Sequence, residues 1–270
     1  GYITEAECDS LKALPLKLTY NRVDHKEGMA TYFREYLRGV MTAPKPVKST
    51  YRGWQMQKYY EDSLAWETNP LYGWCAKNKK KDGTNYNVYT DGLKIYTTLN
   101  SHMQQYAEEA VEEHLSFLQP LFFKEKVGSK NAPYARSISA KLVEELLTKA
   151  MKQTDRYRLM NEAGASEQEI RKAFDTPQEM TVFSWTGAKD TIMTPMDSIR
   201  YYKSFLRTGF MSMDPLNGHV KAYVGGPNYV YFQYDMAMVG RRQVGATIKP
   251  YVYTLAMESG YSPCDEARHV

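Results

Sequence analysis

The stretch from Gly209 to Gly226 most narrowly limits what this chain can fold into. Phe210-Met211-Ser212-Met213 and Val220-Lys221-Ala222-Tyr223-Val224 read as alternating strands, and Asp214-Pro215-Leu216-Asn217-Gly218 stands between them. An Asp-Pro start and an Asn-Gly finish supply the turn conformations that most residues resist. The pattern predicts an antiparallel hairpin.

A second turn follows soon after. Arg241-Arg242-Gln243-Val244-Gly245-Ala246-Thr247-Ile248-Lys249-Pro250 leads into Tyr251-Val252-Tyr253-Thr254-Leu255-Ala256-Met257. Gly245 supplies backbone freedom, Pro250 falls in a first helical turn where its missing N–H costs little, and Val252, Leu255 and Ala256 recur at helical spacing. Ala246 and Lys249 are spaced to share one face of that first turn. The geometry suits acyl transfer, because a helix N-terminus offers unpaired N–H groups, and a desolvated lysine there acts as a base near neutral pH. The nucleophile is missing, since position 246 would need a serine and carries a methyl group. The same residues also read as an ordinary buried helix behind a glycine.

Upstream, Thr4 reads as the N-cap of a short helix ending before Pro15, and Tyr32, Phe33, Tyr36 and Leu37 mark one face of an amphipathic helix. Ala43-Pro44-Lys45-Pro46 breaks the chain as an extended linker. Trp54, Trp66 and Trp74, set among many tyrosines, read as core rather than as a platform for sugar rings. Gly92 to Asn100 alternates and predicts a strand. A helix follows, capped by Ser101 and buried along Met103, Tyr106, Ala107, Ala110, Val111, His114, Leu115 and Leu118, with Glu108, Glu109, Glu112 and Glu113 as its wet face.

From 120 to 200 the chain reads as an inserted helical subdomain of unassigned function. Leu142, Val143, Leu146 and Leu147 make one helix, Gly164 ends the next, and Ser166-Glu167-Gln168-Glu169 is a capping box opening a third. Met180 to Trp185 reads as a strand, and Thr194-Pro195-Met196-Asp197 starts a helix running through Tyr202 and Phe205.

Composition narrows the function classes. A net charge of +4, spread apart from the run Lys77, Lys79, Lys80 and Lys81 beside Asp82-Gly83, gives no nucleic-acid surface. Cys8, Cys75 and Cys264 are odd in number and far apart, so no disulfide framework is expected. His25, His102, His114, His219 and His269 lack metal-ligand spacing, so no metal site is expected. No apolar run is long enough to span a bilayer and no signal peptide opens the chain.

Arg242 to Pro250 resembles the R-Q-P-G-S-S-F-K-P signature around the active-site serine of class A penicillin-binding proteins. Gly209 to Gly226 resembles the hairpin that precedes that signature in the family, in the right order and at the right distance. Gly92-Leu93-Lys94-Ile95-Tyr96-Thr97-Thr98-Leu99-Asn100 with the helix after it resembles the family's "G-x-x-I-x-T-T-L-D…Q…A" element. Gly1 to Glu7 with "LPLKL" more faintly resembles the exit from a glycosyltransferase domain, and Gly28 to Leu37 the helix that begins the transpeptidase module. The resemblance covers most of the chain, strongly over 92–118 and 207–260.

It implies a mixed α+β fold of the penicillin-binding-protein/β-lactamase transpeptidase type, incomplete at its C-terminus. Residues 1–27 would be the glycosyltransferase exit and linker, 28–206 the N-terminal and inserted helical part of the module, and 207–270 the start of its core. In the family S-x-x-K supplies nucleophile and base, so Ala246 falls on the serine and Lys249 on the general base. Thr247, one residue further round, is no stand-in. The family's S-x-N and K-[ST]-G motifs do not follow Lys249, and Arg207-Thr208-Gly209 and Trp185-Thr186-Gly187 lie on the wrong side to replace them.

The implied parent is a peptidoglycan cross-linking D,D-transpeptidase with an upstream glycosyltransferase, anchored upstream in the bacterial inner membrane and facing the periplasm. Its partners would be stem peptides and β-lactams, it would need no cofactor because nucleophile, lysine base and oxyanion hole suffice, and this chain would be inactive. An engineered replacement at 246 and a natural pseudo-enzyme both fit Ala246. The alternative function is a non-catalytic cell-wall binding or scaffolding module.

Overall fold

The computed structural model describes residues 2–12, 25–129, 131–135 and 137–266. They belong to two compact units: Gly1–Lys94, whose named elements among the described residues are helical, and Ile95–Val270, of mixed α and β structure.

In the first unit α1 (Glu5–Lys12) opens as expected: the Glu7 N–H donates to Thr4 Oγ1 at 3.3 Å, and the Thr4 N–H donates to Glu7 Oε2 at 2.8 Å. Pro15 and the Leu-Pro-Leu-Lys-Leu segment lie outside the described residues. Helix α2 (Thr31–Thr42) buries Tyr32 and Met41, whereas Tyr36 of the expected stripe is exposed. Residues 43–47 are extended, as two closely spaced prolines require. Helices α3 (Met56–Thr68) and α4 (Trp74–Lys77) follow, and α4 packs on α2 with the Gly73 N–H donating to Val40 O at 2.8 Å.

The tryptophans do not form the expected core. Trp54 is 79% exposed, and Trp66 and Trp74 are half-buried. Their rings find local partners instead: the Lys77 ammonium sits 4.6 Å from the Trp66 ring, and Trp74 lies 5.0 Å from Tyr86. Rings paired with a cation or a neighbouring ring gain contact without a closed apolar layer.

The second unit is organised by α5 (Ser101–Lys126). The expected strand over 92–100 does not form. The Asn100 N–H reaches Lys221 O at 2.9 Å and the Thr98 hydroxyl reaches Val220 O at 2.8 Å, but no ladder develops and Tyr96 stays 91% exposed. The cap is Asn100, not Ser101, its side chain accepting from the Met103 N–H at 3.1 Å. The buried stripe is also turned from the expected one. Gln104, Ala107, Leu115 and Gln119 are buried, while Met103 and Tyr106 are exposed. Two amides take the inner face because each meets backbone groups that need partners.

Helices α6 (Ala140–Lys152), α7 (Asp155–Glu162) and α8 (Glu167–Asp175) start at Ser139, Thr154 and Ser166, each accepting a backbone N–H. The Ser166/Glu169 capping box is present, and α6 buries Leu147 and Met151 rather than Leu142 and Leu146. Met151, Ile170 and Phe174 form the core there, with Met196 and Ile199 packed against them. Strand β1 (Gln178–Val182) pairs antiparallel with β2 (Lys189–Met193), Gln178 opposite Met193. The second strand had no signal in the sequence reading. Helix α9 (Pro195–Lys203) is capped by Thr194 as expected and ends before Phe205. A buried aromatic nucleus of Phe183, Phe205 and Phe232 gathers Trp185, Tyr201, Tyr202 and Tyr231 around it.

The hairpin forms as predicted. Strand β3 (Phe210–Met213) pairs antiparallel with β4 (Val220–Val224), and the Asp214 N–H donates to His219 O at 2.9 Å across the turn. Ala222 and Val224 pack on Ala107 and Val111 of α5. The last helix, α10 (Lys249–Glu258), follows a short 3-10 turn over Gly245–Ile248. Among the described residues no helix is long and apolar enough to cross a membrane.

Candidate functional site

Gly245 has φ +51°, and an added Cβ would meet nothing within 4 Å. Conformation alone therefore favours glycine at this position, because L side chains resist that region. The 3-10 turn that follows closes with the Thr247 N–H on Val244 O at 3.1 Å and the Lys249 N–H on Ala246 O. Side chains three apart eclipse in a 3-10 turn, so Ala246 and Lys249 stand on one side of it. The Thr247 hydroxyl is turned back onto Val244 O. It points into its own backbone, away from the role of a free nucleophile.

The surroundings differ from the expected ones. Ala246, Lys249 and nearly all of α10 are exposed, with Val252 at 53% and Leu255 at 64%. The helix is neither the buried element the periodicity suggested nor packed beside the hairpin and α5; among its substantial contacts with other elements is the 3-10 turn that leads into it. Lys249 is not desolvated in this chain, and among the described residues it has no ion-pair partner.

The approach to the turn is more firmly built. The Met236 N–H donates to Gly225 O at 2.7 Å, and a Cβ on Gly209 would come within 2.6 Å of Ala237 N. The segment after β4 thus folds back against the base of β3, and only glycine at 209 permits that approach. On the other side of the hairpin, Gln104 Nε2 donates to Tyr223 O at 2.9 Å while its Oε1 accepts the Tyr223 N–H at 2.7 Å. One amide side chain does what a neighbouring strand residue would do for β4. Gln119 repeats the device further along α5, donating to Ser204 O and accepting from Leu206 N, both at 2.9 Å.

Sequence reasoning missed Gln104, Gln119 and Asp235. A glutamine on a helix carries no hydrophobic signal, and its partners here lie 85 to 119 residues away. Asp235 had a local signal that passed unread: an aspartate just before Met-Ala-Met is placed to accept the N–H groups two and three residues on.

With this geometry in view, comparison with known proteins is informative. The family model for the penicillin-binding protein middle domain matches residues 129–206. That match overlaps most of the 120–200 stretch, which by sequence alone reads as an inserted helical subdomain of unassigned function. Penicillin-binding protein 1A of Vibrio cholerae is 24% identical over 297 residues, covering 96% of this chain and 30% of that protein. Penicillin-binding protein 2D of Bacillus subtilis is 29% identical over 160 residues, covering 59% of this chain and 20% of that protein. Penicillin-binding protein 1A of Escherichia coli is 27% identical over 200 residues, covering 64% of this chain and 24% of that protein. The chain therefore spans less than a third of the length of these relatives. No solved structure matches it.

Proposed function

The chain belongs to the class A penicillin-binding proteins, and from that premise we propose that its parent is a peptidoglycan cross-linking D,D-transpeptidase with position 246 in the nucleophile's place and Lys249 as general base. The observation that supports this reading is the 3-10 turn over Gly245–Ile248 that leads into Lys249, because side chains three apart on such a turn share one side. With Lys249 desolvated by bound substrate, so that its neutral form is favoured, a serine at 246 would give its hydroxyl proton to the lysine amine as its Oγ attacks the penultimate D-Ala carbonyl of a stem peptide. The terminal D-Ala would leave carrying the proton, and the amine of a neighbouring strand would resolve the acyl-enzyme. β-Lactams would acylate the same oxygen.

The chain itself, with a methyl group at 246, is inert in this scheme. Residues 1–27 are assigned to the glycosyltransferase exit and linker, 28–206 to the N-terminal and inserted part of the module, and 207–270 to the start of its core. The parent is assigned to the periplasmic face of the inner membrane through an anchor upstream. A second reading is favoured by Ala246 and by the exposure of the whole turn: a non-catalytic module that binds or scaffolds cell-wall components.

Fluorescent penicillin tests the proposal. The full-length protein with Ala246→Ser should label covalently and map to residue 246 by mass spectrometry, while this chain stays unlabelled. Label on Thr247 would remove position 246 from the mechanism. A serine variant that never labels would favour the scaffold.

A further inference from the structure

Asp235 has no part in the acyl-transfer scheme, yet it gathers more of the chain than any residue near the turn. Its Oδ2 accepts the Tyr223 hydroxyl at 2.6 Å, and its Oδ1 accepts the Ala237 and Met238 N–H groups at 2.9 and 3.0 Å. Its carbonyl accepts the Val239 and Gly240 N–H groups at 3.1 and 3.0 Å. Both backbone groups of Tyr223 are held by Gln104. A continuous set of bonds therefore runs from α5 through β4 to Gly240. Residues 241–244 are exposed and belong to no element, so Gly240 is the last fixed point before the Gly245 turn.

We infer that Asp235 is a positioning residue, whose carboxylate locks the 235–240 segment to the hairpin and so sets the point from which the chain enters the 246–249 turn. The inference rests on the reading of that turn as the acyl-transfer site. A carboxylate suits the task because one oxygen can take two backbone N–H groups while the other takes a hydroxyl, and charge-assisted bonds of this kind are the stronger ones. A displacement of about 1 Å at the turn is enough to cost about a hundredfold in rate, so a strut of this kind matters to chemistry it never touches.

Amide hydrogen exchange on this chain provides the first test. Asp235→Ala should speed exchange by about tenfold or more at the hydrogen-bonded amides of 237–240, while 210–224 and α6 to α9 keep their wild-type rates. Asp235→Asn keeps an oxygen for the two N–H groups and should restore nearly normal exchange. Should Asp235→Ala prevent folding, Tyr223→Phe removes only the tether and should loosen the same segment to a smaller degree. Unchanged exchange at 237–240, or equal loosening throughout the hairpin, would overturn the inference. The second test uses the full-length protein with serine at 246, where Asp235→Ala should lower the acylation rate constant by about tenfold and leave penicillin affinity nearly unchanged. Loss of affinity alone would also count against it. If the serine protein is not acylated at all, the transpeptidase reading fails, and the exchange experiment still decides the role of Asp235.

Discussion

At the scale of single residues, the contrast between Ala246 and Lys249 is the central fact about this chain. The turn places the two on a shared side, and what stands at 246 is a methyl group. In a full-length protein with serine at 246, Lys249→Ala should therefore slow β-lactam acylation by about 10²–10⁴-fold, the usual contribution of one general base. Arg241 and Arg242 cannot take over, because a guanidinium stays protonated. Lys249 has no ion-pair partner among the described residues, so the melting temperature should barely change. A normal acylation rate with a lowered melting temperature would make the lysine a structural residue. That Ala246 and Lys249 share one side was legible in their spacing, while the roles proposed for them rest on the family resemblance. Asp235 and Gln104 were not, because their roles exist only once β4 is beside them.

Among the elements, α5 shows best how a sequence pattern can be right in kind and wrong in angle. Its apolar residues do recur at helical spacing, but the face turned inward is the one bearing Gln104 and Gln119. Hydrophobicity ranks Met103 and Tyr106 ahead of both glutamines, yet burying a glutamine here satisfies two backbone groups that would otherwise be orphaned. Gln104→Leu should accordingly destabilise the fold by about 2–4 kcal/mol despite its added apolar area, since it leaves the Tyr223 N–H and carbonyl unpaired. Urea unfolding checks this, with exposed Gln105→Leu as a control expected within about 0.5 kcal/mol of wild type. Equal effects of the two substitutions would show that the amide bracket contributes nothing. The missing strand over 92–100 follows from the same bonding, because Asn100 and Gln104 occupy the β4 edge that a longer ladder would have used.

For the whole molecule, surface carboxylates set the response to acid. The Ser166 N–H and hydroxyl lower the Glu169 carboxyl, the Leu216 N–H lowers Asp214, and the Asn87 N–H with Lys80 lowers Asp91. A carboxyl whose folded pKa lies below its unfolded one adds stability that is fully present above the unfolded value, near about 4, and is lost as pH falls through the folded value. The melting temperature should therefore be nearly level from about pH 7 to 5 and should fall steadily below about pH 4. Glu169→Gln should make that fall shallower, because the amide cannot titrate. A melting temperature that holds constant to about pH 3 would contradict these shifts.

Local chemistry was enough to locate the hairpin and most of the turns and caps of this protein, the α5 cap falling one residue before the expected Ser101. Gly245 needs a positive φ, Ser166 and Thr194 accept the first free N–H groups of their helices, and Asp214 to Gly218 can do little but reverse the chain. Such features depend on residues a few positions apart, so the sequence carries them whole. Tertiary structure alone decided which face of α5 is buried, that 92–100 stays out of the sheet, that the tryptophans near 60 do not close a core, and that α10 stands exposed. Each of those outcomes depends on which distant backbone groups and apolar surfaces come within reach, and periodicity along one segment says nothing about what lies opposite it.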